Sequence, residues 1–171
     1  MIILTLDDFT GFQILARSIQ NDPELQSYID RYEKKYIHQL LGVTLGDLFI
    51  ADLTMGVPSD PRFVAIFDTF SRQDDCRIYD SNGIKDILTA LVFYHYIFDS
   101  QAKHSQSGVT LQIAETSKMA SLENAARFGE KKWNEAIDSI EAIAWYCTTF
   151  IPADYPEYMG LLFRPKYSAI L

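Results

Sequence analysis

Asp22–Gly42, reading DPELQSYIDRYEKKYIHQLLG, decides the fold class of this chain. Asp22 can cap a helix with its carboxylate, and Pro23 suits the first helical position, where the missing N–H has no partner in any case. Glu24 complements the positive end of the helix dipole. Gly42 stands where a helix can turn left-handed and stop. Between these signals, Leu25, Tyr28, Ile29, Tyr32, Tyr36 and Leu40 recur at helical spacing on one face, while Glu33, Lys34 and Gln39 are expected to point largely elsewhere. A helix with such a stripe needs other helices to cover it.

Working outward, Asp7 and Asp8 follow Thr5 and predict a helix running to about Ile19. After Gly42, a helix is expected from about Thr44 to Met55, stopped by Gly56 and Pro58. Asp60 and Pro61 open another, carrying Phe63, Ile66, Phe67 and Phe70. Ser71–Asp80 is polar and reads as irregular, with Ser81 placed to cap the next helix. That helix, about Gly83 to His104, has Ile84, Ile87, Leu88, Leu91, Val92, His95, Phe98 and Ala102 on one stripe. Phe93, Tyr94 and Ile97 broaden the stripe, as in a central, buried helix. In Ser105–Lys118, Gly108 and the alternation Val109, Leu111, Ile113 predict an extended excursion or small hairpin. A last long helix is expected from about Ala120 to Phe150. The tail then carries Pro152, Pro156 and Pro165 among Tyr155, Tyr158, Leu161, Leu162, Phe163 and Tyr167. The prolines prevent a long helix, and the aromatic residues predict that something covers this segment. The reading is an all-α, multi-helix bundle with one extended loop or small β-hairpin between the last two long helices and an irregular C-terminal arm.

A chain of 171 residues, 48% hydrophobic and 22% charged, fits one domain and needs no metal or disulfide staple. Eleven Phe and ten Tyr are more rings than such a domain is expected to hide completely, and tyrosine is favoured at contacts between proteins. The net charge is −8, from 15 basic and 23 acidic residues, opposite in sign to a free-standing nucleic-acid binder. An acidic protein can still surround DNA if it repels rather than grips it. Cys76 and Cys147 are too few for a disulfide scaffold or a zinc site, and reduced intracellular thiols are expected. The apolar start, Met1–Leu6, lacks a basic flank, and Ile87–Phe98 is far short of a bilayer span, so the protein is expected to be neither secreted nor membrane-spanning.

Candidate chemistry is sparse. His95 and Asp99, four apart on one helix, could face each other as a base and its orienting carboxylate, but no nucleophile can be assigned beside them. His38 has no metal-ligand spacing. Aligning Asp80, Asn82 and Gly83 with a calcium loop puts Ile78 at the first ligand position and Thr89 where a bidentate Glu is needed, so that match fails. Gly42-Val43-Thr44-Leu45-Gly46 lacks the Lys-Ser or Lys-Thr of a phosphate loop. No catalytic, cofactor-binding or metal-binding residue is assigned.

Several segments in succession resemble the head–tail connector (neck adaptor) proteins of tailed bacteriophages. They are Leu6-Asp7-Asp8-Phe9; the helix with Tyr28-Ile29, Tyr32-Glu33, Tyr36-Ile37 and Leu40-Leu41-Gly42, followed by Leu45 and Leu48-Phe49; the apolar helix Ile84–Phe98 leading to Gly108-Val109; Glu115-Thr116-Ser117 and Ala120-Ser121; and Lys132-Trp133-Asn134 in the last long helix. The resemblance covers roughly residues 5–150 and implies a structural, non-enzymatic virion protein without a cofactor. It also implies assembly in the host cytoplasm into a twelvefold ring beneath the portal protein at the neck. Such a ring extends the DNA channel, passes DNA without sequence-specific binding, and receives a tail or stopper protein. Residues 1–151 would form the connector-like helical domain, with a mobile loop presenting Gly108, Val109, Leu111 and Ile113. Residues 152–171 would be an arm, not an independent domain, reaching the portal or a neighbour through Tyr155, Tyr158, Leu161, Leu162, Phe163 and Tyr167. Removing the arm is expected to leave the helical domain folded. Two other readings stay open: another neck or tail-completion component, and a small helical enzyme or ligand binder using His95 and Asp99.

Overall fold

The computed structural model describes residues 2–12, 23–100, 103–105, 108–110, 122–161 and 163–166. The chain is mostly helical, with small antiparallel hairpins. Its helices are α1 (Pro23–Leu41), α2 (Val43–Asp52), α3 (Pro61–Phe67), α4 (Ile84–Ser100) and α5 (Leu122–Trp145). Helix α4 packs against both α1 and α5, as its broad apolar surface predicts. Leu88, Leu91, Val92 and Phe93 of α4 are fully buried between Leu25, Ile29 and Ile37 of α1 and Ile137, Ile140 and Ile143 of α5 in one continuous core.

Helix α1 begins at Pro23 and ends before Gly42, whose φ of 86° is the left-handed stop its sequence predicts. Asp60 caps α3 as expected, accepting a hydrogen bond from the Arg62 amide at 2.9 Å. Asp52 secures the loop before it, accepting from the Ser59 amide and hydroxyl at 2.7 Å each and from the Asp60 amide at 2.8 Å. These bonds hold the Asp52 carboxyl below its usual range. Ser81 accepts from the Gly83 amide at 3.1 Å and so orders the turn into α4, but it does not cap the helix as expected: Gly83, at φ 86°, holds that position and its carbonyl accepts from the Ile87 amide at 3.2 Å.

Several expectations are corrected. The segment after Thr5 forms a 3-10 turn, Leu6–Phe12, in which the Asp8 carboxylate accepts from the Thr5 amide and hydroxyl at 2.8 and 3.0 Å; the rest of the expected first helix, residues 13–19, lies outside the described residues. Helix α2 stops at Asp52 rather than Met55, because Thr54 and Val57 exchange backbone hydrogen bonds of 2.9 and 3.1 Å around Met55 and Gly56. Both central residues have positive φ, as a two-residue hairpin turn requires.

Helix α3 ends at Phe67 and does not reach Phe70. The stretch read as irregular is an antiparallel hairpin, β1 (Phe70–Asp74) with β2 (Arg77–Ser81), in the register Phe70↔Ser81 to Asp74↔Arg77. Its alternation is carried by polar and aromatic side chains, so it gave no apolar period. Tyr79 stacks on Trp145 of α5 at 4.2 Å with rings nearly parallel, Arg77 pairs with Glu141 at 3.0 Å, and the Trp145 indole donates to Asp74 at 3.2 Å. Helix α4 stops at Ser100, short of His104, and a second hairpin follows. This pairs β3 (Lys103–Ser105) with β4 (Gly108–Thr110), placing Gly108 opposite Ser105 and Val109 opposite His104. The expected hairpin is therefore present around Gly108, while Leu111 and Ile113 lie outside the described residues. Helix α5 does not continue to Phe150. Its end relaxes into a π-helical turn, Tyr146–Phe150, closed by the Ile151 amide on the Tyr146 carbonyl at 3.1 Å.

Glu33 gives the largest correction. It lies one turn from both Ile29 and Ile37, so it shares their buried row, and it is 1% exposed. Its carboxylate accepts from the Ile2 amide at 2.7 Å, the Ile3 amide at 2.5 Å and the Leu4 amide at 2.6 Å. One acidic side chain thereby anchors the start of the described chain to α1 and places Ile3, Leu4 and Phe9 in the core.

Candidate functional site

The tyrosines of α1 at four-residue spacing build the most elaborate polar-aromatic cluster among the described residues. Tyr32 stacks on His95 of α4 at 4.2 Å, the rings within 4° of parallel, and Tyr36 shares a 2.5 Å hydrogen bond with His95 Nε2. Tyr28 donates to Asp99 at 2.9 Å. Thus each member of the His95–Asp99 pair singled out in the sequence engages a different tyrosine of the neighbouring helix. Burial, opposed by Asp99 and reinforced by Lys35, Lys166 and Arg31, holds the imidazole below its ordinary pKa. Burial likewise pushes the Tyr36 hydroxyl up, and burial together with the hydrogen bond to Asp99 raises Tyr28 to about 12. Neutral His95 and protonated tyrosines form a packed hydrogen-bonded network at neutral pH.

The C-terminal segment completes this cluster. Its Tyr155 hydroxyl donates to the Arg62 carbonyl, and the Arg62 guanidinium lies 3.6 Å from Glu157. The Met159 and Leu161 amides donate to the Leu41 and Gln39 carbonyls at 3.2 and 2.7 Å, supplying partners to carbonyls at the end of α1. Farther on, the Trp133 indole donates to the Arg164 carbonyl at 3.0 Å, and Asn134 exchanges bonds of 2.9 and 2.8 Å with the Lys166 backbone. Phe163 seats its ring beside Tyr36 and Trp133, with centroids 5.9 and 6.0 Å away.

These contacts correct the expectation that the tail's rings await another surface. Tyr155 is 2% exposed and belongs to the core, while Tyr158 and Phe163 pack against it. The physical cause is that the prolines prevent a longer helix: Pro152–Asp154 makes only a 3-10 turn, the Tyr155 and Tyr158 amides bond the Pro152 and Tyr155 carbonyls, and the Met159 and Leu161 amides are left to bond carbonyls at the end of α1. Leu162 and Tyr167 lie outside the described residues. Leu161 is 60% exposed, as are Met159 at 79% and Val43 at 63%, and the close approach of Met159 to Gly42 groups these side chains around the α1–α2 corner. Met55, 99% exposed, and Val57 stand on the separate Thr54–Val57 turn.

His38 bonds Asp47 at 2.9 Å across the same corner. Cys76 is exposed in the β1–β2 turn, whereas Cys147 is buried and its thiol is pushed up to about 12. Among the described residues, no three His, Cys, Asp or Glu side chains are grouped to hold a metal ion, and no helix is long and apolar enough to cross a membrane. The fold and this site define a mostly helical protein whose aromatic cluster is strapped by its own C-terminal segment. No family model, curated protein or solved structure matches the chain.

The role of Glu33 was missed in the sequence, although its position between Ile29 and Ile37 was a usable signal. The strap gave no comparable signal, because backbone amides reaching distant carbonyls leave no mark on side-chain pattern.

Proposed function

We propose that this protein is a structural head–tail connector subunit of a tailed-phage virion, forming a ring below the portal that extends the DNA channel and docks the tail or stopper. The observation that carries the reading is the ordered succession of segments from Leu6-Asp7-Asp8-Phe9 to Lys132-Trp133-Asn134. The distribution of exposed apolar side chains supports it. Val43, Met159 and Leu161 at one corner and Met55 and Val57 on a different turn give the chain distinct surfaces, and a ring subunit needs two different complementary faces. The engagement of His95 and Asp99 by separate tyrosines favours packing over an acid–base pair and weighs against the small-enzyme reading.

The test is assembly with the portal protein encoded in the same genome, followed by electron microscopy. Closed rings stacked on the portal are the expected result. A chain that stays monomeric beside an intact portal and binds elsewhere in the neck would move the assignment to a tail-completion component. His95→Ala and Asp99→Ala variants are expected to retain assembly once their folding is verified.

A further inference from the structure

Beside the strapped cluster lies a group of cations with a shared arrangement. Lys35 sits 5.4 Å from the Tyr32 ring centre and 5.8 Å from that of Tyr36, and Arg31 is 5.4 Å from Tyr32. Lys166, brought in by the strap, is 5.3 Å from the Trp133 ring and 5.9 Å from Tyr94. All three lower the proton affinity of His95, so they converge on one region from α1 and from the C-terminal segment. All three residues are exposed, and among the described residues none forms an ion pair. The carboxylates nearby are Asp99, which takes the Tyr28 hydroxyl, and Glu130, beside Tyr94.

We propose that Arg31, Lys35 and Lys166 form the basic half of a head-to-tail contact whose acidic half is a carboxylate-bearing surface on a second copy of this chain. The aromatic faces hold the three cations in place before binding, which lowers the ordering cost of the contact. Charge complementarity identifies the occupant. The chain carries 23 acidic residues against 15 basic ones, so a neighbour offers abundant carboxylate. A second copy also carries a net charge of −8, so the contact depends on setting these three cations locally against carboxylates; the rival occupant, a nucleic-acid phosphate backbone, meets the same three cations. Of the rings beneath the cations, Tyr32, Tyr36 and Trp133 are buried and only Tyr94 is partly exposed, so they offer little surface for stacked bases. This inference rests on the ring reading for its head-to-tail geometry, but it assigns a face and a chemistry that the ring reading leaves open.

A test uses the full chain, unlabelled and heavy-isotope-labelled copies mixed equally, treated with a zero-length carbodiimide that couples lysine to adjacent carboxylates. Peptides joining Lys35 or Lys166 of one isotope to Asp or Glu of the other are expected, and they should disappear in high salt. The Lys35→Glu/Lys166→Glu double variant, verified as folded by circular dichroism, is expected to associate at least about tenfold more weakly. Crosslinks confined to one isotope, or assembly of that variant at wild-type strength, would overturn the proposal while leaving any portal-bound rings intact. A wild-type chain that stays monomeric at every salt concentration, alone and with the portal, overturns both this proposal and the connector reading. Protection of both lysines by a duplex DNA oligonucleotide, without crosslinks between isotopes, assigns the patch to nucleic acid instead.

Discussion

Replacing Glu33 by glutamine exchanges one carboxylate oxygen for an NH2 group and removes a charge, with almost no change in shape. In the wild-type protein Oε1 accepts from the Ile3 and Leu4 amides and Oε2 from the Ile2 amide. The substituted side chain fits best with its carbonyl toward Ile3 and Leu4 and its NH2 toward the Ile2 N–H. Two charge-assisted bonds then become neutral ones, a loss of about 1 kcal/mol each, and one part-buried amide loses its acceptor at a cost of about 1 kcal/mol or more. Glu33→Gln should therefore destabilise the fold by about 3 kcal/mol, a large share of a typical domain's stability. In urea, with a slope of about 2 kcal/mol per molar, the midpoint should fall by about 1.5 M. Hydrogen exchange at Ile3 and Leu4 should accelerate in the same variant. A midpoint shift worth less than about 0.5 kcal/mol, with those amides still protected, would show that the carboxylate is not what fastens this segment to α1.

The strap and the titratable groups give four more expectations. Deleting Pro152–Leu171 removes Tyr155 from the core, and the single change Tyr155→Ala should already cost about 3 kcal/mol, whereas Leu161→Ser on the exposed surface should change stability by less than about 0.5 kcal/mol; chemical denaturation distinguishes the two. Cys76 should react with a thiol reagent in the native protein, while Cys147 should wait for unfolding. The Cys147 thiol has an ordinary pKa of 9.0 but titrates at about 12 when folded, so the unfolded chain releases this proton first and stability should fall as pH rises from 9 toward 12. Cys147→Ala should flatten that limb. His95 behaves oppositely: its pKa is lowered from 6.5, so as pH falls below 6.5 the unfolded chain binds the proton first and stability declines, a slope that His95→Gln should reduce in denaturation measured across pH.

Helix α1 was legible because its information is local. Pro23, Glu24 and Gly42 act within a turn of their own positions, and the intervening apolar residues repeat at the helical period. The hairpin Phe70–Ser81 was not legible because two of its residues, the exposed Arg77 and the half-buried Tyr79, meet an ion-pair partner and an indole on α5, distant in sequence. Glu33 falls between these cases. Its period was correct for burial, but its charge argued for water until the Ile2, Ile3 and Leu4 amides supplied the compensation. In the candidate site, residue types pointed to His95 and Asp99 as a pair, and only the packing of α1 beside α4 gives each its own tyrosine.

The same logic changes what the abundance of rings implies. Aromatic side chains in the tail suggested a surface shared between molecules, yet Tyr155, Tyr158 and Phe163 are covered by the chain itself. The larger apolar groups left in water are chiefly aliphatic: Val43, Met159 and Leu161 around the α1–α2 corner, Met55 and Val57 on a tight turn, and Ile78 on the β1–β2 hairpin. A contact using them need not unfasten the strap, because Met159 and Leu161 hold α1 through their backbone amides while their side chains remain outside. That separation makes the strap both a structural closure and a presenter of apolar side chains. It also explains why substitution of Leu161 can probe assembly cleanly, whereas loss of Tyr155 tests folding and assembly together.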